Sequence, residues 1–309
     1  MDLNILLRTG IPIFLLIGLG YLSKRVKILK AGDERILSAY VYYFALPALL
    51  FVDLYSLNFN IESIKFIIAG ISPIFLITLA YFIIYRILNF PRHTFYLLII
   101  STVFGSLAFF GLPFVMFAFP GEGEYLATLS VASISVVSVS ISVIVLEFYK
   151  LDGCSLKESL KIVFGKLSRN PLILSIFIGF LFSASGIKIP EYIVIPLHML
   201  GSTTATVAIF MLGAFLYGRK YSGIGYAIKL SMLRMVVLPF IALIIAKFLD
   251  LSGVSLAILI IMHGVPVAVS MMVLSERYNF YKETIASLIL VSSLAAPIYL
   301  NLWIWILGF

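Results

Sequence analysis

Ten apolar segments fill almost the whole chain and restrict it to a membrane fold. Each segment has about the 20 residues that an α-helix needs to cross the hydrocarbon core of a bilayer. Of the 309 residues, 62% are hydrophobic and only 12% are charged, whereas a soluble domain carries about 25% charged residues. The sequence therefore predicts an all-α polytopic membrane protein with helices over residues 4–23, 34–56, 64–88, 94–119, 125–149, 169–186, 191–217, 224–249, 254–275 and 281–307.

The remaining residues leave no room for a soluble catalytic domain. The start MDLNILLRTGIPIF has no basic region before its apolar run and no small-residue cleavage site after it, which predicts a retained first helix. The single cysteine, Cys154, can form neither an intramolecular disulfide nor a metal site alone. His198 and His263 are far apart, and no acidic cluster joins them. We therefore expect no cofactor, no metal and no enzymatic activity.

The basic residues follow a pattern that predicts the orientation of the helices. Most of the 22 Lys and Arg residues lie in the first, third, fifth, seventh and ninth loops. Because cytoplasmic loops carry an excess of Lys and Arg, these loops are predicted to be cytoplasmic and both termini extracytoplasmic. The net charge of +8 then reflects topology in a cell membrane and contact with anionic lipid, and no nucleic acid partner is expected.

The two halves of the chain resemble each other. The segment LRTGIPIFLLIGLGYLSKRVKI (7–28) aligns without a gap with SRNPLILSIFIGFLFSASGIKI (168–189), and two later pairs of segments align in the same order. Each half holds five predicted helices, an odd number, so the second copy enters the membrane upside down. We expect a first five-helix repeat over 1–149, a cytoplasmic linker over 150–168 and an inverted repeat over 169–309.

Glycine and proline interrupt the fourth and ninth segments near their middles. The fourth contains FGSLAFFGLPF (104–114) and the ninth contains HGVPVAVS (263–270). A lipid-exposed helix does not tolerate such a break, because each unpaired backbone group in hydrocarbon costs several kcal/mol. Two breaks at corresponding positions in two halves indicate the substrate site of a transporter. The alternative is a simple proline kink in each of two packed helices, since both residues are common in membrane helices.

The breaks also contain the residues that we predict to bind a substrate. Each break exposes N–H groups at the start of the following half-helix, and their partial positive charge suits a carboxylate. His263 is predicted to bind substrate or to carry a coupled proton; the alternative is a neutral ring hydrogen-bonded to a carbonyl freed by the break. The other predicted binding residues are Gly105, Ser106, Gly264 and Ser270, which lie beside Gly111, Pro113 and Pro266.

Other ionisable residues in the apolar segments receive no substrate role. Asp53 either lines an outer vestibule or faces water at a helix end, and His198 is expected to have a packing or interfacial role. Four more lie near predicted helix ends, where long side chains can reach the membrane surface; they are Arg8, Glu147, Arg234 and Glu276.

The ordered set of motifs resembles the auxin efflux carrier family of transporters. FGSLAFFGLPF resembles the family's fourth-helix motif, and ALPALLF (45–51) and GVPVAVSMMVLSERYN (264–279) match other segments in order. The resemblance implies ten helices, with a scaffold of helices 1, 2, 6 and 7 that could also form a homodimer. The other helices would form a transport domain that moves like an elevator and in which Pro113 and Pro266 mark a crossover. It also implies a carboxylate substrate, as is often described for prokaryotic members.

The chain departs from the family pattern at the predicted site. Ser106 and Ser270 stand where family members often carry Asn, so the site is expected to be polar but roomier. The resulting hypothesis is a secondary transporter of a small organic anion that works by alternating access. The alternative is a channel or a ligand sensor that uses the same cavity without alternating access.

Overall fold

The computed structural model describes residues 3–30, 32–55, 61–150, 164–165, 168–169, 171–218 and 221–309. Cys154 and most of the predicted linker lie outside these residues. The described residues form helices joined by short connections, and their one β pairing is an isolated antiparallel bridge between Gly105 and Val267. The all-α class is therefore confirmed for this part of the chain.

The helices are numbered in chain order, and the two halves of a broken helix share a number. Six of them, α2, α3, α5, α7, α8 and α10, are long and apolar enough to cross a membrane, whereas α4b, α6 and α9a are shorter apolar helices. This composition agrees with a multi-pass membrane protein; the count of ten spans and the inverted repeat stay predictions. The bounds are α1 (Leu3–Arg25), α2 (Asp33–Tyr55), α3 (Ile61–Leu88), α4a (Arg92–Val103), α4b (Leu107–Ala118), α5 (Gly123–Lys150), α6 (Pro171–Ser185), α7 (Glu191–Leu216), α8 (Ile224–Phe248), α9a (Gly253–Gly264), α9b (Met271–Tyr278) and α10 (Lys282–Ile306).

Three helices contain a wide π turn directly before a Leu-Pro dipeptide. The turns cover Val41–Ala45 in α2, Leu107–Gly111 in α4b and Leu233–Val237 in α8. In each, the following Leu amide bonds the carbonyl five residues earlier. Proline has no N–H, and its ring clashes with the carbonyl four residues before it in a regular helix. The wide turn moves the preceding carbonyls away from the ring, so these helices continue through their prolines.

Helices α1, α2, α6 and α7 form one packing group with close backbone contacts. A Cβ atom on Gly20 of α1 would overlap the carbonyl oxygen of Phe210, and one on Gly213 of α7 would overlap that of Ile17. Helix α2 packs against both α6 and α7. Small residues allow helices to approach closely in lipid, where van der Waals packing stabilises their association.

The other helices pack around the two broken ones. Helix α3 contacts α5 and α8, and α9a lies against α8, α5 and α10. Every residue of α9a from Ala257 to Gly264 is buried. The second break therefore lies inside the bundle, where its backbone groups need protein partners.

The outer surface of the bundle is apolar. Exposed large side chains occur on several helices, among them Phe75 and Phe82 of α3, Phe177 of α6 and Phe240 of α8. Such a surface would be unfavourable in water, but a bilayer solvates it, because lipid tails are as apolar as these side chains.

Candidate functional site

The two breaks meet and pair through their backbones. Ser106 N donates a hydrogen bond to Pro266 O at 2.8 Å, and Ala268 N donates one to Phe104 O at 3.0 Å. Backbone groups released by a break inside a membrane protein must find partners, because no bulk water is available. Here each break supplies an amide and a carbonyl to the other, so the two chains cross in a short antiparallel pairing. We call this region the crossover.

The break in the fourth helix leaves amides at the start of α4b. Ser106 O accepts the amides of Phe110 (3.0 Å) and Gly111 (2.9 Å). The amides of Leu107 and the next two residues come before the first hydrogen bond within α4b, so they have no carbonyl of their own helix to bond. They carry the partial positive charge of a helix N-terminus.

Gly111 lies where α4b touches α9a. A Cβ atom at this position would be 2.7 Å from Val265 Cγ1 and 2.9 Å from Met262 Sδ. Pro113 follows two residues later and is buried. Gly111 thus permits the close approach of the two broken helices just beyond the crossover.

The break in the ninth helix is held by side chains of α10. The Tyr299 hydroxyl donates to Gly264 O at 2.7 Å, and Ser292 Oγ accepts Val267 N at 3.1 Å. Gly264 packs against α10 and α8, because a Cβ atom there would be 3.1 Å from Leu300 Cδ2. Ser270 is half-buried directly before α9b begins.

Arg234 is the functional candidate that the sequence interpretation missed. It lies near the middle of α8, in the π turn Leu233–Val237, and its side chain is only 1% exposed. The interpretation of Arg234 as a residue near a helix end was therefore wrong. Its Nε donates to Val265 O at 2.5 Å, and its Nη1 donates to Thr102 O. The guanidinium thus joins the carbonyl ends of α4a and α9a.

Arg234 has no acidic ion-pair partner in the part of the chain that the structure describes. A buried charge is costly unless paired or well hydrogen-bonded, and intramembrane ionisable residues are therefore functional candidates by default. The sequence signal that could have found Arg234 was its position inside the predicted segment 224–249.

Gly105 makes room for the guanidinium. A Cβ atom on Gly105 would overlap Arg234 Nη2. The φ angle of Gly105 is not in the left-handed region, so a side chain here would conflict with the guanidinium and not with the backbone conformation. Gly105, Ser106, Pro266 and Arg234 therefore come together at the crossover.

His263 bonds carbonyl groups that lie outside this set of residues. Its ring is fully buried, with Nδ1 2.8 Å from Leu259 O and Nε2 2.9 Å from Gly70 O of α3. A neutral imidazole has one N–H, so only the doubly protonated ring could donate to both carbonyls. His263 links α9a to α3, and a role for it in substrate binding or proton coupling stays a prediction.

The other ionisable residues lie outside the crossover. Asp53 Oδ2 accepts the Thr128 hydroxyl at 2.5 Å and so links α2 to α5. His198 is exposed on α7. Glu147 lies near the end of α5 as predicted, but it is 6% exposed and accepts the Tyr278 hydroxyl, so its side chain is held inside the bundle. The side chains of Arg8 and Glu276 lie outside the described part of the structure.

The chain is similar to known transporters along most of its length. The uncharacterized transporter MJ1031 of Methanocaldococcus jannaschii is 25% identical over 305 residues, which are 96% of each protein. The uncharacterized transporter YfdV of Escherichia coli K12 is 22% identical over 301 residues, again 96% of each. The Lysosomal cholesterol signaling protein of Mus musculus is 27% identical over 312 residues, which cover 92% of this chain but 36% of that protein.

A sequence model of the family described as Membrane transport protein matches residues 6–154 and 154–304. These matches cover nearly the whole chain and agree with the transporter names of MJ1031 and YfdV. The resemblance to auxin efflux carriers is confirmed by this family. The broken helices, their crossing and the buried arginine therefore lie in a transport protein and not in an enzyme: the chain belongs to the Membrane transport protein family.

Proposed function

We propose that this protein is a secondary transporter that moves a small organic anion, such as a carboxylate, across the cell membrane by elevator-type alternating access. The observation that carries the proposal is the crossing of the two broken helices around the buried Arg234. This crossing brings helix ends and a full positive charge together inside the bundle. Membership of a transport family supports the transport function, and the charges at the crossover support the choice of substrate.

The charges of the crossover favour an anion. A helix end carries about half an elementary charge, positive at the N-terminus and negative at the C-terminus. The carbonyl ends of α4a and α9a together offset about the single positive charge of Arg234. The N-terminal end of α4b then leaves the crossover with a net positive charge. A monovalent carboxylate complements this charge, whereas a cationic substrate would be repelled.

Two serines would complete the binding site. Ser106 is buried at the start of α4b, and Ser270 is half-buried before α9b. Each hydroxyl can donate one hydrogen bond and accept two. A hydroxyl is shorter than the amide that related proteins often carry, so the site would accept a bulkier group beside the carboxylate.

The packing of the helices supports an elevator movement. Helices α1, α2, α6 and α7 form one group with backbone-close contacts, and the broken helices belong to the other group. The hydrogen bond between Asp53 and Thr128 is one of the links between the two groups. We propose that the group with the broken helices moves as a body against a scaffold formed by α1, α2, α6 and α7.

The orientation and the assembly complete the proposal. The distribution of Lys and Arg supports a protein with both termini outside the cell. Exposed apolar side chains of α6, such as Phe177 and Leu181, offer a surface for lipid or for a homodimer through the scaffold.

Uptake of labelled carboxylates into proteoliposomes tests the function. A carrier should show faster uptake when unlabelled substrate is present inside the vesicles. Replacing Ser106 with Ala should raise KM about 2- to 10-fold, which corresponds to one lost hydrogen bond of about 0.5–1.5 kcal/mol. The matched control is Ser72→Ala on α3, because the Ser72 hydroxyl bonds only Ile68 O of its own helix; this variant should retain the wild-type KM.

The same experiment separates the alternatives. A channel would conduct carboxylates without stimulation from the opposite side, and a sensor would bind a ligand without moving it. No uptake of any carboxylate would refute the proposed function. A thermal-shift screen of the purified protein against carboxylates, amino acids and indoles would then identify the ligand class, because a bound ligand stabilises the folded state.

A further inference from the structure

We propose that Arg234 is the resident cation of the crossover, so that no metal cation is needed there. Secondary transporters with broken helices commonly hold a coupling Na⁺ at unwound carbonyls and at the C-terminal ends of half-helices. In this chain the guanidinium of Arg234 occupies the place between those carbonyl ends. The uptake measurement described below rests on the proposed transport function. The stability measurements do not depend on that function.

The hydrogen bonds of Arg234 support this assignment. Its Nε bonds Val265 O, directly after α9a, and its Nη1 bonds Thr102 O, in the last turn of α4a. These two carbonyls belong to different broken helices. A metal ion placed between them would perform the same bridging, so the guanidinium and a bound cation would compete for one position.

The shape of the crossover fits a guanidinium at this position. Gly105 leaves the space that Nη2 fills, and a Cβ atom there would overlap that nitrogen. Arginine presents donors in a rigid planar fork, whereas lysine presents one compact ammonium group. In this chain the fork bonds two carbonyls on different helices and brings Nη2 against Gly105.

The charge balance explains how a buried arginine is tolerated without a carboxylate. The two carbonyl ends carry about −0.5 each, and together they match the single charge of Arg234. No ion pair involves Arg234 within the part of the chain that the structure describes. Its charge is therefore compensated by backbone dipoles, as the charge of a bound Na⁺ would be.

Replacement of Na⁺ in the buffer tests the inference on the wild-type protein. Exchanging about 100 mM Na⁺ for K⁺ or N-methyl-D-glucamine should change the unfolding midpoint by less than about 1 °C, because Arg234 already occupies the cation position of the crossover. A saturable rise of the midpoint with Na⁺ would overturn the inference. This measurement needs neither a substrate nor a variant.

Chemical rescue tests the role of the side chain itself. Arg234→Ala should lower the unfolding midpoint and leave a cavity between the two carbonyls. About 10 mM guanidinium chloride should restore part of the loss by binding there. Arg234→Met is the matched control, since Met fills the space without a charge and should gain nothing. Equal responses of the Ala and Met variants would contradict the inference.

Uptake measurements connect the inference to transport. The rate of carboxylate uptake should stay within about twofold when Na⁺ is replaced on both sides of the membrane. A carrier with a Na⁺-coupled step would instead depend on the Na⁺ gradient. Strict dependence on Na⁺ would overturn the resident-cation inference but leave the anion transporter intact. Absence of uptake under every condition would instead refute the proposed function and leave the two stability measurements to decide.

Discussion

The substitution Gly105→Ala tests the geometry of the crossover with a single methyl group. The added Cβ would overlap Arg234 Nη2, so the guanidinium has to move. Its two hydrogen bonds, to Val265 O and Thr102 O, are then weakened or lost. The backbone at Gly105 has no positive φ, so alanine meets no conformational obstacle of its own.

The expected cost follows from these two bonds. A hydrogen bond to a charged group contributes about 1.5–3 kcal/mol to stability. Alanine also restricts the unfolded chain, which stabilises the protein by about 0.4–1 kcal/mol where the backbone permits it. Losing one bond therefore gives a net cost of about 0.5–2.6 kcal/mol, and losing both gives about 2–5.6 kcal/mol.

The free energy of unfolding in mixed SDS and detergent micelles measures this cost. The decisive comparison repeats Gly105→Ala in a protein that also carries Arg234→Ala. Without the guanidinium the methyl group has free space, so the substitution should be neutral or stabilise by up to about 1 kcal/mol. The effect of one methyl group should thus change its sign with the residue at position 234.

An equal cost of Gly105→Ala in both backgrounds would refute the reasoning. It would mean that the methyl group meets something other than Arg234, and that Gly105 is not reserved for the guanidinium. A cost below about 0.5 kcal/mol in the wild-type background would show that the guanidinium moves without losing its carbonyl partners.

Three further predictions concern other contacts. Gly20→Ala should destabilise the protein by about 1–3 kcal/mol, because its methyl group would meet the α7 backbone. The control Gly18→Ala on the same helix places its methyl group in open space and should not destabilise the protein. Equal effects of the two substitutions in unfolding measurements would contradict the close contact of α1 and α7. His263→Gln should flatten the pH dependence of uptake if this ring handles protons, and an unchanged profile would exclude that role. Thr128→Val should cost about 1–3 kcal/mol of unfolding free energy, because the Asp53 carboxyl loses this hydrogen bond, and no loss would show that this link contributes nothing.

The helices and the breaks could be predicted from the sequence because they depend on local properties. A run of about 20 apolar residues specifies a membrane helix by length and composition alone. Gly105 and Pro266 mark breaks because glycine and proline act on their own backbone. The family could also be predicted, since FGSLAFFGLPF and the other motifs occur in a characteristic order.

The neighbours of each side chain could not be predicted in the same way. Arg234 lies in a π turn, and one extra residue in a turn changes the face on which every later side chain of α8 lies. The partner of His263 is Gly70, and the partner of Asp53 is Thr128, on helices that the sequence does not pair. These contacts depend on how the helices pack, which the pattern of apolar residues along one helix does not specify. The binding roles of Ser106 and Ser270 stay predictions.

A guanidinium attached to the chain differs from a dissolved ion because it cannot dissociate between cycles. Under the proposed movement, the charge of Arg234 crosses part of the membrane's electric field both when the carrier is loaded and when it is empty. One elementary charge moved through a potential of 100 mV changes the free energy by about 2.3 kcal/mol. A negative cell interior would hold the empty carrier in its cytoplasm-facing conformation, and a bound monovalent anion would cancel that bias. Membrane voltage would then determine on which side the empty carrier waits for its substrate.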